Sequence, residues 1–384
     1  MSRRSHFTIL IDAPGRQKAE YIEAANSLQP MEFRNILVRA TNWVGDTVMS
    51  LPALHALRKR FPSARISILA RPWVASLYER EPFCDELIPY DAPSGWKGLG
   101  RKWRAACDLR RRRFDCAILL QNAFESAALV WLARIPVRIG YDRDARGWLL
   151  THPISVPSMN EAPRHQRFYY LELLKRAKLI KAYSSEAFVT LSGAPAAAEQ
   201  GRKRFLERGL TEPVIGVSPG AAYGAAKRWR PEGFADAAVQ IASERSASIA
   251  VFGSKEETSI CEFVCQRIEA AGVPYANFGG ATILGEFIEL AAACEVFLTN
   301  DSGPMHIASA LGVPTVAIFG ATDERATGPT GLHTRVVRQQ VECSPCLLRE
   351  CPIDHRCMVR VSADRVAETA LGLFGSVQVK HIHE

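Results

Sequence analysis

The chain of 384 residues has no apolar run close to the roughly 20 residues that a membrane-spanning helix requires, so an integral membrane protein is not expected. A secretory signal is not expected either. The best N-terminal apolar stretch, Phe7 to Ile11, is cut short by Asp12 and Pro14, well below a signal core of about 7–15 apolar residues. Cysteine is sparse, ten in the whole chain, which argues against a disulfide scaffold and predicts reduced thiols in the cytosol. The Walker A pattern GxxxxGK[ST], the GxSxG elbow and HExxH do not occur, which removes P-loop, serine-hydrolase and zincin readings. With 47% hydrophobic and 23% charged residues the chain is too apolar for disorder. What it has is positive charge: 48 Lys and Arg against 40 Asp and Glu, net +8, with pI near 9.0. That favours anionic partners: nucleic acid, nucleotide phosphates or an acidic membrane face. Part of the excess is the run Arg110, Arg111, Arg112, Arg113, which lacks the interleaved aromatics of a nucleic-acid surface and reads as a solvated face or a contact for an anionic membrane.

The length suggests two domains. Residues 1–33 show weak periodicity and read as an N-terminal extension, with Met31, directly before the first strong strand, as an alternative start. Strands are predicted at Asn35–Ala40, Arg65–Ala70, Glu86–Tyr90 and Asp115–Leu120, and helices at Thr47–Phe61 and around Gln166–Ile180. This alternation signals a parallel sheet. Residues from about Ala182 to Pro213 are rich in Ser, Ala, Pro and Gly and read as a linker. A second series follows: strands at Val214–Val217, Ser248–Phe252, Val296–Thr299 and Thr315–Phe319, and helices at Pro231–Ser243 and Thr258–Ala270. The expected fold is therefore α/β, with two Rossmann-like doubly wound domains, 34–190 and 191–384, facing a central cleft at the carboxyl ends of both sheets.

Three loops on that edge carry candidate chemistry. In Thr41-Asn42-Trp43-Val44-Gly45-Asp46, Gly45 permits close backbone approach and the Asp46 carboxylate can face a bound hydroxyl. On spacing alone an ordinary N-cap is the favoured role for Asp46. The stretch Ser218 to Trp229 combines small residues, Gly220 among them, with Lys227 and Arg228. It can neutralise a phosphate, or it is a flexible loop with solvated cations. In Thr299-Asn300-Asp301-Ser302-Gly303-Pro304-Met305-His306, Asp301 or Ser302 can cap a helix whose bare N-terminus binds an anion. A fourth stretch, Cys343-x2-Cys346-x4-Cys351-x5-Cys357 with His355 nearby, either holds a tetrahedral zinc, packs as reduced thiols or forms a redox pair. Cys261 and Cys265, at i and i+4, are expected in the core.

The series NILVRATNWVGDTVMSLPALHALRKRFP, PGAAYGAAKRW and TNDSGPMHIASALGVPTVAIFG, followed by TGP, resembles the lipopolysaccharide heptosyltransferases of glycosyltransferase family 9, those that add the second heptose being the nearest type. The likeness runs from about Asn35 to the end. It implies a GT-B fold and an inverting transfer of L-glycero-D-manno-heptose from ADP-heptose to the lipopolysaccharide inner core. It makes Asp46 the general base and Lys227 the group that offsets charge on the departing diphosphate. Gly220, Asp301, Ser302, Gly303, Met305 and His306 fall in the donor-binding motifs. Glu257, in preference to Glu256, falls where a glutamate contacts the donor ribose. Asn42, Trp43 and Gly45 fall on the acceptor side. Ala222 departs from the family, which carries an acidic residue or hydroxyls near this point, so donor contacts are expected to differ. No cofactor or metal is required by this reading. Its partners are ADP-heptose, a heptosyl-Kdo-lipid A type acceptor and the anionic inner-membrane surface, not nucleic acid, and its place is cytoplasmic and peripheral. Arg110–Arg113, Lys97, Arg101 and Lys102 are the expected docking cations. A family 9 enzyme using another sugar nucleotide, a non-catalytic nucleotide-binding protein and a zinc-dependent nucleic-acid binder are the alternatives.

Overall fold

The computed structural model describes residues 32–93, 95, 98–158 and 160–378. The extension expected over residues 1–33 falls almost wholly outside these residues, as do Met31 and Lys97. Strands β1 (Asn35–Arg39), β2 (Arg65–Ala70), β3 (Glu86–Pro89), β4 (Cys116–Leu119), β5 (Val137–Tyr141) and β6 (His152–Ile154) form one sheet in the order β3-β2-β1-β4-β5-β6. Strands β7 (Val214–Ser218), β8 (Ser248–Val251), β9 (Tyr275–Asn277), β10 (Val296–Asn300), β11 (Thr315–Phe319) and β12 (Thr334–Arg338) form the second, β12-β11-β10-β7-β8-β9. Every pairing is parallel. Read from opposite edges, the two orders are the same doubly wound topology, with its reversal between β1 and β4 and between β7 and β10. The central strands are buried from end to end, save Asn35 at the start of β1, as expected of parallel strands covered on both faces.

Helices of eight or more residues are α1 (Val44–Arg60), α2 (Leu99–Arg111), α3 (Phe124–Leu132), α4 (Gln166–Arg176), α5 (Ala194–Glu207), α6 (Pro231–Arg245), α7 (Thr258–Ala270), α8 (Leu284–Ala292), α9 (Gly303–Ala310) and α10 (Ala363–Gln378). The stretch read as a linker from Ala182 to Pro213 is not irregular throughout, because α5 occupies its centre. The alanines that suggested a loose segment are strong helix formers. Helix α5 lies on α8 through Gly201, where a Cβ would stand 2.0 Å from the Glu289 carbonyl oxygen. Cys261 and Cys265 are buried on α7, as expected.

The largest apolar cluster is continuous between the halves. It includes the rings of Phe252, Phe278, Phe287 and Phe297, with neighbouring centroids 5.3–6.0 Å apart. The halves also meet where two helices begin, with Val44 of α1 against Gly303 of α9. Both helices follow a strand beside a reversal point, so two loops that end strands from different sheets face the same space.

Candidate active site

That space is a cavity of about 580 Å³, within the usual range for a small-molecule site. Trp43, Val44, Gly45, Asp46 and Met49 line it from the first half. Gly220 to Tyr223, Lys227, Glu257, Asp301 to Pro304, His306, Thr327 and Arg349 are among those lining it from the second.

On the first wall, β1 ends on a buried Arg39 whose guanidinium donates to the Ala40 and Leu69 carbonyls and, at 3.0 Å, to Asn42 Oδ1. Burial pushes this guanidinium down to about 10. Asn42 thus serves to shape the loop and does not line the cavity, whereas Trp43 is 65% exposed at its mouth. Asp46 is not an N-cap. Helix α1 starts two residues earlier, its N-cap is Trp43, and no side chain caps it. The carboxylate is left to accept a hydrogen bond from the buried Tyr170 hydroxyl at 3.1 Å. Burial raises the Asp46 pKa above the ordinary carboxylate value, while the Tyr170 bond and the nearby charge of Lys227 pull the other way.

On the facing wall, Lys227 Nζ lies 2.6 Å from Asp301 Oδ2. The same oxygen accepts from the Thr322 hydroxyl at 2.6 Å. Asp301 therefore does not cap α9; it holds the ammonium in place. The N-cap of α9 is Ser302, with no side-chain cap, so the first N–H groups of this helix and its positive end face the cavity. Trp229, fully buried, anchors the loop that carries Lys227. Its backbone N–H donates to Asn300 Oδ1 at 2.9 Å, while Asn300 Nδ2 donates to the Pro219 and Gly220 carbonyls. Gly220 admits only hydrogen at its α-carbon, because a Cβ would fall 2.1 Å from the Glu257 carboxyl carbon. Glu257 lines the cavity and Glu256 does not. Glu257 Oε2 also accepts from the Ser254 N–H at 2.9 Å.

His306 packs over Gly45 across the cleft. Burial pushes it down to about 4, against the raising effect of Asp301, so it is neutral near pH 7. Met305 is displaced from its expected role: the side chain is fully buried against Ala317 and Phe319 and does not line the cavity. Among the described residues no group of three or more His, Cys, Asp or Glu could hold a metal ion. The segment carrying Cys343 to Cys357 is instead a buttress for the Lys227 loop. The Ala226 N–H donates to the Arg349 carbonyl at 2.9 Å, Tyr223 Oη donates to the Leu347 carbonyl at 3.2 Å, and His355 Nε2 lies 3.0 Å from the Ala226 carbonyl.

A carboxylate on one wall faces a cation and a bare helix N-terminus on the other, across a cleft between two parallel sheets. The profile of glycosyltransferase family 9 (heptosyltransferase) matches residues 102–356. The chain belongs to glycosyltransferase family 9. Lipopolysaccharide heptosyltransferase 2 of Salmonella typhimurium is 31% identical over 308 residues, 79% of this chain and 87% of that protein. Lipooligosaccharide heptosyltransferase 2 of Campylobacter jejuni is 26% identical over 346 residues, 88% and 98% of the two chains. The solved structure of Escherichia coli ADP-heptose lipopolysaccharide heptosyltransferase II superposes with TM-score 0.75 at 28% identity, covering 90% of this chain and 99% of that one. The fold is GT-B and the protein is a glycosyltransferase. Sequence reading of this family 9 enzyme missed Tyr170, Thr322, Tyr223 and Arg349. Tyr170 sits mid-helix with no motif around it, 124 positions from its partner. Arg349 lies among cysteines that drew attention to themselves.

Proposed function

We propose that this family 9 glycosyltransferase transfers L-glycero-D-manno-heptose from ADP-heptose to a lipopolysaccharide inner core already carrying one heptose, with inversion at the anomeric carbon. The observation that carries the reading is the Asp46 carboxylate, its pKa raised by burial, in one cavity with Lys227 and the uncapped start of α9.

In this reading the acceptor hydroxyl oxygen attacks the anomeric carbon as its proton passes to Asp46, and the bond from that carbon to the ADP oxygen breaks. A base whose pKa lies nearer the working pH accepts a proton more readily than an ordinary carboxylate. Lys227 has three N–H donors; one bonds Asp301, and the others remain for the diphosphate. Together with the α9 N-terminus it offsets the charge that develops as ADP leaves, and no cofactor is required. Glu257 receives the ribose hydroxyls. Phe252, Ile283, Leu284 and Phe287, also in the lining, give the adenine ring an apolar seat. Trp43, exposed at the mouth, offers a ring face to the acceptor sugar. Among the described residues no helix is long and apolar enough to cross a membrane, and we place the enzyme peripherally at the cytoplasmic face of the inner membrane.

The test is release of ADP from ADP-heptose, with acceptors carrying zero or one heptose, and with UDP- and GDP-sugars as competing donors. Acceptor-dependent release with ADP-heptose alone is expected. Asp46→Asn should lower turnover by about 10²–10⁴-fold while ADP still binds. Release from a different donor, or none from any, would overturn the reading.

A further inference from the structure

The first half exposes aromatic residues that neither its core nor its cleft uses. On α3, Phe124 and Trp131 stand seven residues apart, close to two helical turns, and so share one face. Trp148, from the turn Gly147–Leu149, sits between them, with ring centroids 6.2 Å from Phe124 and 6.4 Å from Trp131. The three are 47%, 47% and 66% exposed, and Leu132 beside them is 37% exposed. Helix α2 packs alongside α3 over the same face of the sheet and shows Leu99 and Trp103 to solvent, 54% and 61% exposed. Contiguous exposed apolar surface of this kind marks an interaction site.

The charge around it is divided: Asp142 and Asp144 are exposed in the Trp148 turn, whereas the ends of α2 and α3 are cationic. Arg110 and Arg113 at the end of α2 line a shallow groove with Arg134, three residues beyond Trp131. Together with Arg104 these exposed arginines have no carboxylate partner among the described residues, unlike Arg112, which is tied to Glu86 and Asp108. Of the expected docking cations, Arg101 and Arg111 are paired at the surface, with Asp91 at 3.8 Å and Asp108 at 3.1 Å, and two more drop out on structural grounds. Lys102 turns inward to Glu125 at 2.8 Å, and Arg112 is committed to its two carboxylates.

We propose that the outer face of α2 and α3, with Trp148, docks on an anionic lipid bilayer. Tryptophan rings settle at the boundary between headgroups and acyl chains, and exposed arginines around them are drawn to anionic headgroups. Helices α2 and α3 each start on the carboxyl side of the first sheet, so the aromatic surface begins near the cleft mouth, where Trp43 is also exposed. A lipid-borne acceptor held in such a bilayer would present its sugars to Asp46. This proposal deepens the reading of a lipid-linked acceptor and rests on it for that last step only; its test does not depend on turnover.

The full-length chain is mixed with sedimentable vesicles of phosphatidylcholine alone or with phosphatidylglycerol added, and with vesicles carrying brominated acyl chains. The native protein is expected to bind anionic vesicles at least tenfold more tightly than neutral ones, with its tryptophan fluorescence quenched by the brominated lipid. Arg110→Glu/Arg113→Glu/Arg134→Glu should reduce binding to anionic vesicles at least tenfold. Trp131→Ala/Trp148→Ala should lose most of the quenching. Unchanged thermal unfolding, together with ADP release on a delipidated acceptor, shows that both variants are folded. Equal binding by native protein and variants, or no binding by the native protein, overturns the proposal. So does concentration-dependent dimerisation that the tryptophan variant abolishes without any vesicle binding, which would make this face a contact between two copies. Absence of ADP release with vesicle binding intact would sink the heptosyltransferase reading and leave the docking surface standing.

Discussion

Burial acts on Asp46 and His306 in opposite senses, and each shift has a measurable consequence. The Asp46 pKa is raised, so if Asp46 is the base, as proposed, the acid limb of kcat/KM should lie above the ordinary carboxylate value, because a base works only when ionised. The Tyr170 bond favours the ionised form. Tyr170→Phe, nearly the same shape, should therefore move the acid limb to higher pH and leave ADP affinity unchanged; an unmoved limb would show that another group is the titrating base. His306 is held down to about 4 against an ordinary 6.5. Between those values the unfolded chain carries a proton at this position that the folded chain refuses, so the histidine lowers stability as pH falls from 6.5 towards 4, by up to about 3 kcal/mol. Asp46 works against this trend, since its raised pKa makes the folded state the better proton acceptor. Urea midpoints at pH 7 and pH 5 should accordingly drop less for His306→Gln than for the native chain. At this scale the sequence singled out Asp46 and Lys227 in their loops, and Glu257 by resemblance, and all three line the cavity. It could not show that Asp46 is an acceptor for Tyr170 and not a cap, because that depends on a helix 124 positions away.

Strands with long apolar runs were legible as elements, and the helices between them declared themselves by period. Strands β6 and β9, each three residues long, carry too little pattern to be recognised. Strand β12, TRVVR, looks polar because it lies at the edge of its sheet. Helix α5 is hidden in a stretch whose Ser, Ala, Pro and Gly read as a linker, although its alanines favour a helix and its glycine is there for contact. A Gly→Ala exchange inside a helix ordinarily stabilises by roughly 0.5–1 kcal/mol. Gly201→Ala should do the reverse, lowering the urea-derived stability by about 1–3 kcal/mol, because the added methyl meets the backbone of α8. Asn300, at the end of β10, ties both ends of the Lys227 loop by three hydrogen bonds, two to the Pro219 and Gly220 carbonyls and one from the Trp229 backbone N–H. Asn300→Ala leaves those buried partners unpaired; it should cost about 1–3 kcal/mol and raise KM for the donor as the Lys227 loop loosens.

Across the whole molecule the halves are held by apolar packing and by the meeting of α1 with α9, more than by charge. Arg80 pairs with Glu289 between the halves, and Arg164 with Asp323 at 3.5 Å, but both arginines are at least a third exposed, and such pairs contribute little. The halves approach closely at Gly303, where a Cβ would stand 2.9 Å from Val44 Cγ1. Gly303→Ala should wedge the cleft open, giving a larger radius of gyration in solution scattering and at least a tenfold loss of kcat/KM. An unchanged radius with full activity would show that the contact is slack. The hydrogen bonds from Tyr223 and Ala226 to the segment of Leu347 and Arg349 bear on how such enzymes can be recombined. The two stretches lie more than a hundred positions apart yet form one unit of inheritance. A chimera that exchanges residues 218–229 for those of a relative, leaving 343–357 in place, mismatches both sides of that contact; donor preference should transfer only when the two are exchanged together.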